Sequence, residues 1–217
     1  MATMCNMAKT YGQHCPIARA LDVVGERWSL LIVRELLLGP LRYTDLRAAL
    51  PGIGTRVLAD RLKHLADEGV IEMRRLPPPA SADAYQLTAW GEKLRPVASA
   101  LAAWGSSLTG RPRRGDARSP TSAMMALWRR ALVRPRPPAG RWQLLLDGQA
   151  FELSVDDAGT MARRGESTAP DGTAALAASD AIALLDGRLT FGDAAQSGRV
   201  DLRGRMTDQV FSGLFGA

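Results

Sequence analysis

Apolar residues recur at helical spacing along much of the first hundred residues, and the runs end at glycine or proline. This periodicity predicts amphipathic helices, because one face of a helix collects every third or fourth residue. The predicted helices cover residues 16–24, 26–38, 43–50 and 55–68. Gly25 and Gly69 end the first and the last of them.

The two central helices are joined by a tight turn and followed by two β-rich stretches. Pro51 to Gly54 form the turn, between the helix from Tyr43 to Leu50 and the helix that Thr55 opens. Residues 70–76 and 84–88 favour strands, and the prolines between them cannot continue either strand. This order predicts a winged helix-turn-helix, a shape that fits the major groove of DNA.

The chain then predicts one long helix and a linker. Thr88 is a suitable N-cap for a helix that carries Trp90, Leu94, Val97, Leu101 and Trp104. Pro96 lies inside this run and is expected to kink the helix. Residues 110–120 are too rich in glycine, proline and charge to pack, and they predict a domain boundary.

The back half alternates helical and strand patterns. Thr121 to Val133 predicts a helix, and Asp147-Gly148 predicts a hairpin turn between strands 142–146 and 151–155. Further predictions are short helices at 172–178 and 179–186, with Ser179 as N-cap and Gly187 as the end, a strand at 200–203, and a helix at 206–215. The predicted fold class is α+β, with a winged helix-turn-helix domain at 1–110, a linker at 111–122 and a smaller α+β domain at 123–217.

Charge is distributed unevenly between the two halves. Residues 1–140 hold 21 Lys and Arg against 11 Asp and Glu, a net charge of +10, whereas residues 141–217 hold 7 against 11, a net charge of −4. Arginine richness is also typical of a GC-rich genome, but such a bias does not explain the asymmetry. The front half is therefore suited to a polyanion.

Several classes of protein are excluded. No segment approaches the roughly 18 apolar residues of a membrane span, so we expect a cytoplasmic protein without a membrane partner. Cys5 and Cys15 cannot build a disulfide framework, and no cysteine and histidine spacing suits a metal, so no cofactor is expected. His14 and His64 have no nucleophile or paired carboxylates at a recognisable spacing, which argues against an enzyme.

The second helix of the motif has one apolar and one polar face. Leu58, Leu62 and Leu65 fall on the face directed at the core. Arg56 is the first candidate for a base contact, because a guanidinium can hold O6 and N7 of guanine together. The other candidates at the polar face are Thr55, Ala59, Asp60 and Lys63, of which Lys63 is placed for a phosphate or a flanking base.

Other basic residues suit contacts to the DNA backbone. Arg61 lies beside the apolar face, so an internal ion pair or a phosphate contact is expected of it. Arg74 and Arg75 belong to the wing and would supply affinity more than sequence choice. Arg42 and Tyr43 begin the supporting helix and are candidate phosphate contacts, although Tyr43 equally suits core packing.

Several motifs resemble the HxlR family of bacterial transcriptional regulators. They are the segment from Cys15 to Leu36, Arg42-Tyr43-Thr44-Asp45-Leu46, Leu50-Pro51-Gly52-Ile53, Leu58-Ala59-Asp60-Arg61-Leu62, and Tyr85-Gln86-Leu87-Thr88 with Gly91. The resemblance implies a homodimer on double-stranded DNA, in which the first and last helices of the winged module pack across a two-fold axis. Leu94, Leu101 and Trp104 suit that interface, and core packing within one subunit explains them nearly as well.

A thiol stands where the resembled family typically keeps one. Several members of that family use the cysteine that Cys15 matches as a sensor of electrophiles or oxidants. Cys15 precedes a helix N-terminus, whose partial positive charge favours a thiolate, and His14 and Arg19 are close in sequence. The alternative is an inert, half-buried side chain. Cys5 is a candidate resolving partner or is incidental.

The back half resembles the sterol carrier protein type of lipid-binding domain. Strands 142–146 and 151–155, the segment 179–189 and the segment 196–200 are similar to that family, although the domain is short. The resemblance implies a cavity for a small hydrophobic ligand, or else these residues fill a small core. Its candidate lining residues are Trp142, Leu144, Phe151, Leu153, Phe211 and Phe215.

These features together predict a sequence-specific DNA-binding regulator. The expected form is a dimeric repressor that responds to a hydrophobic ligand or to thiol oxidation. The alternative is a lipid-binding or carrier protein whose winged helix makes only protein contacts. Salt separates the two, because phosphate contacts weaken steeply as salt rises whereas apolar binding does not.

Overall fold

A computed structural model describes residues 10–77, 81–106, 108, 119–135 and 137–216. The chain divides into two compact units, Met1–Ser107 and Leu108–Ala217. Cys5, the tip of the predicted wing at 78–80 and most of the predicted linker lie outside the described residues. Among the helices of the described part, none has the length and apolar character needed to cross a bilayer.

The first unit contains the predicted helix-turn-helix and its wing. Its helices are α1 (Pro16–Val24), α2 (Ser29–Leu36), α3 (Tyr43–Ala49), α4 (Thr55–Asp67), a 3-10 helix (Gly91–Leu94) and α5 (Arg95–Ser106). Strands β1 (Ile71–Arg75) and β2 (Asp83–Leu87) pair antiparallel, with Ile71 opposite Leu87 and Arg75 opposite Asp83. Both helices of the predicted motif and both strands of the wing are confirmed to within one or two residues at most ends.

The core of the first unit explains this arrangement. Leu58, Leu62 and Leu65 of α4 are at most 2% exposed, as their spacing predicted. Leu46 of α3 and Leu50, its C-cap residue, are also buried, so the two helices share one apolar core. The sharp turn between them requires a left-handed backbone at Gly52, where φ is +89°.

Two helix predictions for this unit are wrong in their limits. Helix α2 begins at Ser29 rather than at Glu26, and the preceding Trp28 has φ +82°. The long helix expected from Thr88 is interrupted, because a 3-10 helix precedes α5 and Pro96 lies in the first turn of α5. Proline fits that position, since the first N–H groups of a helix have no partner within it. The Thr88 hydroxyl still accepts a hydrogen bond from Gly91 N (3.0 Å).

The second unit is a five-stranded mixed sheet with helices. Its elements are α6 (Pro120–Leu132), β3 (Gly140–Leu146), β4 (Gln149–Asp156), β5 (Gly159–Arg164), β6 (Gly172–Leu176), α7 (Ala178–Leu185), α8 (Phe191–Gln196), β7 (Val200–Gly204) and α9 (Asp208–Phe215). The strand order is β5-β4-β3-β6-β7, and β3 and β6 run parallel. The predicted hairpin of β3 and β4 is confirmed.

The segment from Gly172 to Ala178 corrects the sequence prediction. It was expected to be a helix, but Gly172–Leu176 forms strand β6 between β3 and β7, and Ala178 already begins α7. Gly172, Ala174 and Leu176 are buried in alternation, which is the period of a strand. Most residues of the segment are small, so the alternation is not visible as a hydrophobic pattern in the sequence. Ser179 is also wrong as an N-cap, since Ala177 holds that position without a side-chain hydrogen bond. Strand β5 was not predicted.

The candidate ligand-lining residues form the buried core of the second unit. All six, from Trp142 to Phe215, are at most 1% exposed. The rings of Phe211 and Phe215 pack edge to face, with centroids 4.9 Å apart. A surface depression of about 400 Å³ in this unit is lined by Leu189, Asp193, Gln196, Ser197 and Arg199, and so by none of the six. Their role in holding a ligand stays a prediction.

Candidate nucleic-acid interface

Helix α4 presents its polar face to solvent. The Arg56 side chain is 95% exposed, and the Lys63 side chain is 76% exposed. Thr55, Ala59 and Asp60 are exposed as well. The candidates for base contact therefore stand on one open surface, opposite the buried leucines.

Arg56 and Lys63 differ in how firmly a carboxylate holds them. Arg56 Nε lies 4.0 Å from Asp60 Oδ2, and both side chains are well exposed. Lys63 Nζ lies 2.6 Å from Asp67 Oδ2, one turn further along the helix. Exposed pairs of this kind contribute about 0 to 1 kcal/mol, and DNA can displace them at little cost. Of the two, Arg56 has the more weakly held cation.

Arg61 lies against the corner that joins α1 to α2. Its side chain is 23% exposed, and Nη1 is 3.7 Å from Glu26 Oε2. On the same helix, Nε2 of His64 lies 3.1 Å from the carbonyl oxygen of Val23. Arg61 thus forms the internal ion pair, which was one of the two roles expected for it.

The start of α3 is an electrostatic cap. Arg42 donates to Asp45 through Nε (2.8 Å to Oδ2) and Nη2 (3.0 Å to Oδ1). These hydrogen bonds hold the pKa of Asp45 below its ordinary value and raise the pKa of Arg42. Asp45 also accepts from the Arg42 N–H, which completes a capping box at the helix N-terminus. A phosphate contact by Arg42 would have to compete with this pairing.

Tyr43 connects the two helices of the motif. Its hydroxyl donates a hydrogen bond to the carbonyl oxygen of Thr55 (2.9 Å), the first residue of α4. The side chain is half-buried. This hydrogen bond gives Tyr43 a structural role in holding α4. The phosphate contact predicted for Tyr43 stays a prediction.

The wing arginines are exposed on opposite faces of β1, because consecutive residues of a strand point to opposite sides. Arg74 Nη1 is 3.3 Å from Gln86 Oε1, and Arg75 Nη1 is 3.3 Å from Asp83 Oδ1, in both cases across to β2. Both guanidinium groups are at the surface. They remain accessible to a phosphate backbone that passes the wing.

The corner between α1 and α2 carries a cation that was not among the predicted site residues. The Arg27 guanidinium lies 5.4 Å from the centre of the Trp28 ring. That ring rests on the turn of the motif, since a Cβ added at Gly52 would be 3.9 Å from Trp28 Cη2. No periodicity could signal this contact, because residues 28 and 52 meet only in the folded unit.

The first and last helices of the unit expose apolar residues. Ile17 of α1 is 72% exposed and Leu21 is 41% exposed. Val97, Leu101 and Trp104 of α5 are also exposed, whereas Leu94 is half-buried. Such residues are typical of a surface that a partner covers.

Cys15 is the N-cap residue of α1. Its thiol is half-buried, and its carbonyl oxygen accepts from Arg19 N (3.0 Å). Arg19 Nη2 lies 3.4 Å from His14 Nδ1, so the two residues predicted to neighbour the thiol contact each other. Among the described residues, no group of three or more potential metal-ligating side chains is found.

Comparisons with known proteins converge on the first unit. A family model described as HxlR-like helix-turn-helix matches residues 23–112. The uncharacterized HTH-type transcriptional regulator YvaP of Bacillus subtilis is 38% identical over 93 residues, which are 42% of this chain and 86% of that protein. The HTH-type transcriptional regulator YodB of the same species is 34% identical over 91 residues, or 42% of this chain and 81% of YodB.

A solved structure matches the same region. The reduced form of YodB from B. subtilis has 30% sequence identity and a TM-score of 0.39, and it covers 46% of this chain and 100% of that chain. The sterol-carrier resemblance of the second unit is not confirmed by these comparisons and stays a prediction.

Proposed function

The chain belongs to the HxlR-like family of helix-turn-helix transcriptional regulators, and we propose that it is a homodimeric repressor that reads duplex DNA through α4. The observation on which this proposal depends is the orientation of α4. Arg56 stands almost fully exposed on this helix, one residue from its start, while three leucines bury the opposite face. A helix so oriented can enter a major groove N-terminus first.

The supporting parts of the unit suit the same role. The Tyr43 hydroxyl fixes the start of α4, and Arg74 and Arg75 stand on a two-stranded wing. In such a module the reading helix selects the sequence, and cationic side chains around it supply affinity through phosphates. A repressor then acts by occupying a site that the transcription machinery needs.

Dimerisation is proposed through α1 and α5. Ile17, Leu21, Val97 and Leu101 present apolar side chains at the surface of these helices. A two-fold axis would bury them and place two copies of α4 on successive half-sites, about 34 to 36 Å apart. The same axis would make DNA affinity depend on how the two copies pack.

The proposed signal is oxidation of the Cys15 thiol. Cys15 caps α1, so a larger and more polar sulfur there would disturb the helix that we place at the dimer interface. A hydrophobic ligand in the second unit is the other proposed effector. It would have to enter a core in which all six candidate residues are buried.

The test is selection of genomic fragments by the full chain, followed by fluorescence anisotropy on the selected site. We expect saturable binding that weakens steeply with salt and that falls after treatment with hydrogen peroxide. The Cys15→Ser variant should bind equally well with and without peroxide. Failure to enrich any sequence, or affinity independent of salt, would reject the DNA-reading role.

A further inference from the structure

Ion pairing separates the cations of the first unit into two groups. Arg42, Arg61, Lys63 and Arg75 all have a carboxylate oxygen between 2.6 and 3.7 Å away. In the part of the chain that the structure describes, five cations of this unit have no carboxylate within the 4.0 Å of an ion pair: Arg19, Arg27, Arg47, Arg74 and Lys93. Of these five, Arg27 and Arg47 belong to the segments beside the turn of the motif. Both side chains are exposed. These two cations therefore need no exchange of partner before they bind an anion.

Arg47 lies on the same flank of α3 as Tyr43. It is four residues after Tyr43, so the two side chains are about 40° apart around the helix. Tyr43 reaches the Thr55 carbonyl oxygen from this flank. Arg47 also stands in the last turn of α3, directly before the turn that contains Gly52. It is thus on the side of α3 from which Tyr43 contacts the first residue of α4.

Arg27 is connected to the same turn through Trp28. Its guanidinium stacks on the Trp28 ring, and that ring packs at Gly52. Trp28 adopts φ +82°, a left-handed backbone that is rare for a large residue and that here turns the chain between α1 and α2. Glu26, the nearest acidic neighbour in sequence, is paired with Arg61 and not with Arg27.

We propose that Arg27 and Arg47 bind the phosphate backbone of duplex DNA on either side of the helix-turn-helix turn. This inference rests on the proposed DNA-reading function and adds two residues to its binding surface. A guanidinium offers two parallel N–H donors to phosphate oxygens. Stacking on Trp28 also limits the freedom of Arg27 before DNA arrives. Two contacts at the turn fix the depth and the angle at which α4 enters the groove.

The experiment compares salt dependence of DNA binding in matched variants. The full chain is titrated against a duplex carrying its selected site at several salt concentrations, as wild type and as Arg27→Gln with Arg47→Gln. Each lost phosphate contact lowers the slope of log K against log salt by about 0.9, so we expect a decrease of about 1.8 per bound subunit. The loss should be similar on unrelated duplexes, because phosphates carry no sequence.

Two further variants separate this role from a general charge effect. Arg141→Gln with Lys93→Gln removes the same charge from exposed positions of β3 and of the 3-10 helix, and its slope should stay near that of the wild type. Arg27→Lys with Arg47→Lys keeps the charge and should keep most of the slope. Thermal unfolding checks that the variants fold, and single substitutions, each worth about 0.9 in slope, replace the pair if it does not.

The possible outcomes test the phosphate contacts separately from the proposed DNA-reading function. A wild-type protein that binds no duplex in a salt-dependent manner overturns both. If the wild type binds DNA but Arg27→Gln with Arg47→Gln leaves the salt slope unchanged, only the inference about these two residues is overturned. An equal loss in the Arg141 and Lys93 control would also overturn it, because the effect would then come from net charge.

Discussion

The Tyr43 hydroxyl donates a hydrogen bond to the carbonyl oxygen of Thr55 at 2.9 Å, and so the first residues of α3 and α4 are tied together across the turn. The bond satisfies a carbonyl at the start of the reading helix and fixes the angle between the two helices. It links the supporting helix directly to the helix that we expect to meet DNA.

Tyr43→Phe removes this bond while keeping the ring. We expect the free energy of unfolding to fall by about 0.5 to 1.5 kcal/mol, measured with urea, and DNA affinity to fall as well. Tyr85→Phe is the matched control, since no hydrogen bond of the Tyr85 hydroxyl is found among the described residues. Equal effects of the two substitutions would show that the Tyr43 hydrogen bond does not fix the position of α4.

Arg56→Ala tests the reading role of α4. A bidentate contact to guanine contributes about 1 to 3 kcal/mol of discrimination, so affinity for the selected site should fall by that amount and base preference should relax. Binding to a panel of single-base variants of the site measures both effects. Lys93→Ala is the control, because it removes an exposed charge outside the motif. If it relaxes base preference as much as Arg56→Ala does, Arg56 is not a reading residue.

Arg74→Gln with Arg75→Gln tests the wing. These side chains should contact phosphates, so affinity for all sequences should fall and the salt slope should flatten by about 1.8 per subunit. Base preference should not change. An unaltered slope would contradict the placement of the wing along the DNA backbone.

Leu101→Glu tests the proposed dimer. A charge at the centre of an apolar interface should convert the dimer to a monomer and weaken DNA binding, because the two half-sites are no longer linked. Sedimentation equilibrium measures the mass. Val133→Glu, at an exposed apolar position of the second unit, should leave the mass unchanged. A dimer that survives Leu101→Glu would place the interface elsewhere.

Glu152→Gln tests a pH-dependent contact in the second unit. Arg163 donates two hydrogen bonds to this 9% exposed carboxylate (2.8 and 3.0 Å), and they lower its pKa although burial opposes the shift. Because the pKa is lower in the folded state, the stabilisation is present above the ordinary glutamate pKa and is lost as the pH falls through the lowered value.

We therefore expect the Gln variant to be about 1 to 2 kcal/mol less stable than wild type near pH 7, and the difference to shrink in strong acid. Urea unfolding at several pH values measures it. Glu166→Gln, at an exposed acid of the same unit, is the control. A difference that persists at the lowest pH would mean that charge does not explain the contact.

The amino-acid sequence by itself determined the elements whose signals are local. Leu58, Leu62 and Leu65 repeat at helical spacing and are buried in the fold, and Asp147-Gly148 forms a hairpin turn because both residues adopt a positive φ. The winged helix-turn-helix followed from such patterns, and so did the exposed face of α4. A period or a turn needs only neighbouring residues to be recognised.

The tertiary structure decided what depends on distant residues. Segment 172–176 is a strand only because β3 and β7 lie on either side of it, since Ala and Gly alone favour neither period. Ion pairs likewise hold Arg42 and Arg61, while Arg27 meets the turn of the motif through Trp28 and Gly52. The sequence supplied the basic residues, but their accessibility depends on which carboxylates and rings the folded chain brings within a few ångströms.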